Sequence, residues 1–320
     1  MLRHSLLLPW LLASATATAP IARAVHRLST GLAMEHLRCH VRCRRSSATA
    51  PQILLVHGTF HGAWCWERWM PRLAAAGFDV HAVSLRGTSG SPVDGGGPAR
   101  ISEHVDDLRC FVDEVLGPEG APPPILVGHS FGGSSVLKYL EAGGAASGAA
   151  FFAAVPPSGN GGMTLRFMCR SPRRAWLITR GFALRTAASS AADARALFFD
   201  EQTRDEDLAA WLPKLAADSR VRLDLKHFNR NLPARAETDS QGRARWVAER
   251  GLPTLVCGAE RDAVVDAEGV EEMGRFVGST PLWLPTAHDV MLAAGWELGA
   301  DALAEWARAA CGGAAAYRGS

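Results

Sequence analysis

The chain has almost no excess of charge: 34 basic residues face 32 acidic ones, a formal net charge of +2 at pH 7. A nucleic-acid partner requires a concentrated basic footprint to displace counterions from phosphate, so this balance argues for no nucleic acid as partner. Paired cysteines are lacking as well. The seven cysteines, Cys39, Cys43, Cys65, Cys110, Cys169, Cys257 and Cys311, form no CxxC spacing and accompany no histidine cluster. That scatter speaks for a reducing compartment and for no structural metal. No apolar run reaches the ~18 to 20 residues that a membrane-spanning helix needs, and no internal repeat interrupts the chain. Acidic residues are nearly absent from the first fifty positions, where Glu35 stands alone against seven arginines. An acid-poor, Arg-, Ser- and Ala-bearing leader suits an organelle transit peptide, chloroplast or mitochondrial, over residues 1–50. Two rivals stand beside it: a secretory signal built on Leu6 to Ala13, broken at Pro9, and a shorter cytoplasmic form that starts at Met34.

What is present is an ordinary globular composition, 48% hydrophobic and 21% charged with 32 Gly and 18 Pro. It supports a large core and, at this length, one catalytic domain. Short β-type apolar runs alternate with stretches of helical spacing, the pattern of a mostly parallel sheet covered on both faces. Gln52 to His57, Phe78 to Leu85, Pro124 to Gly128, Ala149 to Val155, Pro253 to Cys257 and Pro281 to Leu284 read as strands. His36 to Cys43 alternates and reads as an earlier antiparallel edge strand. Helical periodicity covers Trp64 to Gly77, Ser102 to Leu116, Phe131 to Gly143, Asp266 to Val277 and Val290 to Ala310. The Gly/Pro-rich segments Ser91 to Pro98 and Gly117 to Pro124 read as loops. From Pro156 to Trp246 the rhythm breaks into helical spacing alone. The expected organisation is therefore an α/β core over 51–155 and 247–312, a helical cap insertion over 156–246, and a short tail over 313–320. Such an insertion would sit over the carboxyl ends of the strands, where open α/β sheets bind ligands.

Gly128-His129-Ser130-Phe131-Gly132 fits G-x-S-x-G directly after an apolar run and directly before a helical pattern, the context the motif requires. A serine there occupies a sharp turn, so its hydroxyl stands exposed at a helix N-terminus whose dipole favours developing negative charge. A neutral serine is a poor nucleophile near pH 7; it needs a base in hydrogen-bond reach and an acid to orient that base. Downstream, Asp262 in GAERDAVV and His288 in PTAHDVML each follow a strand, in the order Ser, acid, His that a nucleophile on this kind of turn takes. Glu260 and Asp266 share the loop of Asp262 and compete with it for the role. Asp289 reads as the cap of the final helix. Two backbone donors are also needed for a tetrahedral oxyanion: Phe131 supplies one, and Thr59, in the Gly-bearing turn His57-Gly58-Thr59-Phe60, supplies the other. Gly58, Phe60 and His129 are the expected pocket residues. Phe60, Trp64 and Phe131 suit either an apolar pocket or the core, and Trp64 with Trp66 at helical spacing reads as core.

These segments, HGTFHGAWCW, SLRGTSGSP, GHSFGG, GAERDAVV and AHDVML, resemble the α/β-hydrolase superfamily in motif and order over about Gln52 to Ala310. HGTFHGAWCW is also similar to the opening of plant methylesterases and hydroxynitrile lyases, whereas SLRGTSGSP looks like the general hydrolase branch. The lyases carry Thr where Gly58 stands and Lys where Asp289 stands, so the resemblance implies no cyanohydrin cleavage. Residues and resemblance together predict a serine hydrolase with Ser130 as nucleophile, His288 as base and Asp262 as acid, and no cofactor; Phe60, Trp64, Phe131 and the apolar insertion point to a small or medium carboxylic ester as its small-molecule partner. A weakly catalytic ligand receptor on the same fold, or a lipase or thioesterase, are the alternatives. The amphipathic Arg-rich run Arg166 to Arg185 fits a lipid substrate or a solvated helix face equally. Oligomeric state is not legible.

Overall fold

The computed structural model describes residues 19–41, 51–93, 97–117, 122–221 and 223–311. Eight strands form one sheet in the order β1-β2-β4-β3-β5-β6-β7-β8. They are β1 (Ala22–Arg27), β2 (Ala33–Cys39), β3 (Gln52–Val56), β4 (Asp79–Val83), β5 (Ile125–His129), β6 (Gly148–Phe152), β7 (Thr254–Ala259) and β8 (Leu282–Leu284). From β4 to β8 across the sheet all neighbours run parallel, while β1 pairs β2 and β2 pairs β4 antiparallel. The inner strands read as unbroken apolar runs because helices cover both faces: Ile53, Leu54, Leu55 and Val56 have no exposed surface. Truncating one of these leucines to alanine would cost about 2–5 kcal/mol, since the site cannot collapse around the void.

The core helices are α1 (Trp69–Ala75), α2 (Ile101–Phe111) and α3 (Phe131–Glu141). Gly77 and Gly143, at φ 104° and 82°, lie just past the ends of α1 and α3. There the left-handed conformation favours a residue without Cβ. Trp66 and Trp69 are fully buried with ring centroids 5.2 Å apart, edge to face. All regular structure between β6 and β7 is helical among the described residues: α4 (Asn160–Arg170), α5 (Pro172–Ala183), α6 (Ala191–Phe198), α7 (Asp205–Asp218), α8 (Leu225–Arg230) and α9 (Arg245–Arg250). The chain closes with α10 (Ala267–Val277) and α11 (Trp296–Cys311). The final helix begins later than its periodicity suggests, because residues 290–295 turn first. No helix among the described residues is long and apolar enough to cross a membrane.

One expectation is corrected at the N-terminus. Of the 1–50 segment read as a leader, β1 and β2 form a hairpin built into the sheet, with Met34 and Cys39 fully buried. Arg23, Arg27 and Arg38, three of the arginines that made the stretch look like a leader, are exposed on this hairpin. Arg23 sits on the edge strand and pairs with Glu35 at 2.6 Å, as charged residues on sheet edges commonly do. The second strand is therefore Ala33–Cys39 rather than 36–43, and it is flanked by β1 instead of forming the edge. Residues 1–18, 42–50 and the tail 313–320 lie outside the described residues, as do parts of the loops over 91–98 and 117–124.

Topology then locates the site. The chain passes from β3 to β4 on one side and returns to lay β5 on the other side of β3. Crevices at such a reversal, outside the carboxyl ends of the strands, are where open α/β sheets bind ligands. The turns after β3 and β5 both open into it.

Candidate active site

Ser130 stands between β5 and α3 at φ 51°, ψ −126°, a left-handed conformation that a non-glycine residue holds only where its surroundings enforce it. Three hydrogen bonds do so. Its N–H donates to the Phe152 carbonyl at 3.2 Å, and its own carbonyl accepts from Gly133 at 3.0 Å and Val155 at 3.2 Å. The flanking glycines are required by close approach: a Cβ on Gly132 would lie 2.3 Å from the His57 carbonyl oxygen, and one on Gly128 would lie 2.5 Å from Gly133 Cα. Gly58 follows the same logic across the crevice, because its Cβ would meet Ser130 Cβ at 2.7 Å.

His288, in the turn after β8, places Nε2 3.2 Å from Ser130 Oγ. Its Nδ1–H donates to both Asp262 carboxylate oxygens, at 3.0 and 2.9 Å. Asp262 is held from behind by the Val264 and Val265 amides, which donate to Oδ1 at 2.7 and 2.9 Å. Of the three acids on that loop only Asp262 reaches the imidazole. Asp266 caps α10 through Gly269 and pairs with Arg166 at 2.5 Å, and Glu260 is exposed. Burial works against a charged His288, but the Asp262 carboxylate and its hydrogen bond, with Asp289 adding, outweigh it and raise the imidazole above its ordinary value of 6.5.

Gly58, Thr59, Phe60 and Phe131 line a cavity beside the serine turn. Phe60 is buried and stacks on Phe182 of the helical insertion with ring centroids 5.3 Å apart; Phe131 meets Phe228 edge to face at 5.5 Å. Trp64 is only half-buried, its indole N–H donating to Asp218 at 2.7 Å, so it ties the insertion to the core rather than filling the core. His129 departs from the pocket role read for it. As the last residue of β5 it points beneath the site, buried, with Nε2–H donating to the His288 carbonyl at 3.0 Å. Burial, reinforced by the neighbouring His288, lowers its pKa to about 3, so it props the turn of His288 as a neutral ring.

Two further residues belong to this cluster. Asp289, expected as a helix cap, is completely buried and accepts from His61 Nε2 at 2.9 Å. His61 Nδ1 faces the Thr59 carbonyl at 2.9 Å. Both ring nitrogens thus meet acceptors, and only the imidazolium can donate to both. Burial opposes that charge while the Asp289 carboxylate favours it, and the pKa of His61 is raised on balance. Periodicity offered no signal for a pair separated by 228 positions; the second histidine of HGTFH was the only visible cue. Donor atoms of His129, His288 and Asp289 lie within 4.8 Å of one another. Both nitrogens of His288 already face Asp262 and Ser130, so a metal bound there would displace the contacts that define the site.

Fold and constellation together define the class: an open, mostly parallel α/β sheet carrying a serine, histidine and carboxylate above its carboxyl edge. The chain belongs to the alpha/beta hydrolase family, whose model matches residues 53–309. Among curated relatives, the esterase PIR7B of Oryza sativa subsp. japonica is 38% identical over 101 residues, 30% of this chain and 35% of that protein. An Arabidopsis thaliana protein designated methylesterase 11, chloroplastic, is 30% identical over 152 residues, 48% of this chain and 35% of that protein. The matched stretches span about a third or less of the length of such relatives. Among solved structures, a thermophilic esterase from Thermogutta terrifontis superposes with a TM-score of 0.63 at 20% identity, covering 91% of this chain and 99% of that one.

Proposed function

We propose that this protein is a serine hydrolase that cleaves small or medium carboxylic esters through an acyl-enzyme. The observation that carries the reading is the unbroken hydrogen-bonded line from Ser130 Oγ through His288 to Asp262. In the first half-reaction Ser130 Oγ attacks the ester carbonyl carbon as its proton passes to His288 Nε2. The carbonyl oxygen becomes an oxyanion facing the Thr59 and Phe131 amides. Collapse of that intermediate expels the alcohol, which takes the proton from His288. Water then repeats the sequence on the acyl-enzyme, giving the acid and free Ser130. Asp262 keeps the proton of the neutral imidazole on Nδ1, so that Nε2 is the acceptor. The test is to treat the purified full chain with a fluorophosphonate probe, map the modified peptide, and assay esters of graded acyl length. Probe on Ser130 with ester turnover supports the reading; folded protein that takes no probe overturns it.

Because His288 must be neutral to accept the proton, kcat/KM should fall as pH drops through its pKa. That pKa is raised, so the midpoint of the acid limb is expected above 6.5. A pH profile of an activated ester measures it directly, and a midpoint below 6.5 would contradict the electrostatics described.

His61 supports the oxyanion site by holding the carbonyl of Thr59, whose N–H is the donor. His61→Gln keeps an amide that reaches Asp289 and leaves the Thr59 carbonyl unheld. The expected result is a loss of roughly 10- to 100-fold in kcat with little change in KM, part of what losing a whole oxyanion donor costs. A rise in KM at constant kcat would instead place His61 in ground-state binding.

The acid-poor N-terminus supports import into an organelle, and the chloroplastic designation of the Arabidopsis relative agrees with it. Pairing of the hairpin restricts any removable leader to the residues before Ala22, since loss of β1 would strip β2 of its edge partner and loss of β2 would strip β4 of one. A start at Met34 conflicts with the same pairing.

A further inference from the structure

The outer side of the helical insertion is rich in both arginine and exposed apolar side chains. From residue 142 to residue 192 the chain holds six arginines, no lysine and no acid. Among the described residues five large apolar side chains are at least half exposed. Four of them, Leu165, Met168, Trp176 and Leu184, fall here within twenty consecutive positions. A face kept only for solvent mixes charges of both signs and leaves bulky apolar groups inside.

Helical spacing gathers these residues. On α5, Arg173, Trp176, Arg180 and Leu184 recur at intervals of three and four, one stripe along the helix, while Ala175 is buried and Phe182 stacks on Phe60 from the inner side. On α4, Leu165 and Met168 lie three apart, away from the buried Met163 and Phe167. Ser171 ends α4 and caps α5, so the two helices are contiguous. Beside α5 an open groove of about 600 Å³ is lined by Trp176 and Leu177 together with Arg173, Arg174 and Arg180. The acids that pair with these arginines lie outside the stretch and are engaged one to one: Asp266 by Arg166, Glu268 by Arg170 and Asp193 by Arg180. Arg173, Arg174 and Arg185 are exposed, and their guanidinium groups have no ion pair among the described residues.

We propose that this face of α4 and α5 docks the protein on an anionic membrane surface. Charge complementarity selects that occupant. The three uncompensated guanidinium groups can each grip a lipid phosphate through two N–H donors. Trp176 suits the headgroup level, where an amphipathic ring finds both apolar and polar neighbours, and Leu165, Met168 and Leu184 reach the acyl boundary. Arginine and bulky apolar side chains interleaved on one stripe match a bilayer interface, where phosphate and hydrocarbon lie within a side chain's length of each other. Because Phe182 closes on Phe60 from the inner side of α5, docking sets the helical insertion, and the oxyanion turn beneath it, against the bilayer.

The experiment sediments the purified full chain with vesicles of phosphatidylcholine alone and of phosphatidylcholine mixed with phosphatidylglycerol. Wild type is expected to bind the mixed vesicles and to leave the neutral ones, with binding that weakens as salt is added. Arg173→Gln, Arg174→Gln and Arg185→Gln together should lower the partition coefficient on the order of 100-fold, about fivefold per arginine. Lysine at the same three positions should keep most of the binding. Trp176→Ala should cost roughly 10-fold through the lost apolar contact. All four side chains are exposed, so unfolding curves should match wild type and certify the fold of each variant. No binding to either vesicle overturns the proposal, as does binding that survives both the glutamine and the alanine substitutions, which would place the contact elsewhere in the chain. Displacement by soluble glycerol 3-phosphate at the concentration of the lipid would show a pocket for a free anion instead of a surface for lipid. Retention on polyglutamate beads without vesicle binding would assign the face to an acidic protein. Vesicle binding needs no ester chemistry, so docking and the labelling of Ser130 stand or fall separately.

Discussion

Ser130→Ala should lose all fluorophosphonate labelling and roughly 10⁴- to 10⁶-fold in kcat for any ester the wild type cleaves, with KM little altered. The size follows from what the hydroxyl alone does. Removing Oγ takes away the atom that forms the acyl bond, while the amides of Thr59 and Phe131 and the rest of the pocket remain to bind the ester. The residual rate would come from water attacking a carbonyl still polarised by those donors. The fold should tolerate the change, because Ser130 is fixed by its backbone hydrogen bonds to Phe152, Gly133 and Val155, none of which uses the side chain. Matched unfolding curves would separate chemistry from stability. Wild-type turnover by a stably folded Ser130→Ala protein would sink the acyl-enzyme mechanism.

Asp262→Asn carries the second large effect, about 10⁴-fold in kcat, although it changes one atom in the site. Asp262 Oδ1 accepts from the Val264 and Val265 amides at 2.7 and 2.9 Å. An asparagine would keep its carbonyl oxygen on those amides and so turn its NH₂ group toward His288 Nδ1. That nitrogen must then act as an acceptor, which moves the imidazole proton to Nε2, the atom that should receive the proton of Ser130. Loss of the carboxylate also lowers the basicity of His288, of which it is the main support against burial. Labelling by fluorophosphonate should slow in parallel with ester turnover, since both need the same deprotonation. A variant that labels at the wild-type rate would show that Asp262 orients nothing that matters to the chemistry.

Much of this site was legible because its chemistry is local. The serine turn depends on five consecutive residues between an apolar run and a helical pattern. Asp262 and His288 each follow a strand at a short interval, so sheet topology brings them to one edge. Which acid on the loop after β7 serves the imidazole was open in the sequence, where Glu260, Asp262 and Asp266 are equivalent in composition. Only the direction of each side chain separates them, with Asp266 committed to Arg166 and the start of α10.

Other features had no local signature. The leader-like composition of residues 1–50 hid a hairpin, because arginines on the exposed face of an edge strand and arginines in a transit peptide look alike in composition. His61 with Asp289 is a contact between side chains far apart in the chain, and no periodicity encodes it. His129 read as a pocket residue from its place in the motif, yet the pleat of β5 turns it under His288. Strand and helix patterns and turn glycines follow from short-range sterics and hydrogen bonding, which the amino-acid sequence determines by itself, and the order of Ser130, Asp262 and His288 is read directly along the chain. Which polar groups end up buried and paired is a property of packing between distant segments, and only the tertiary structure decided it.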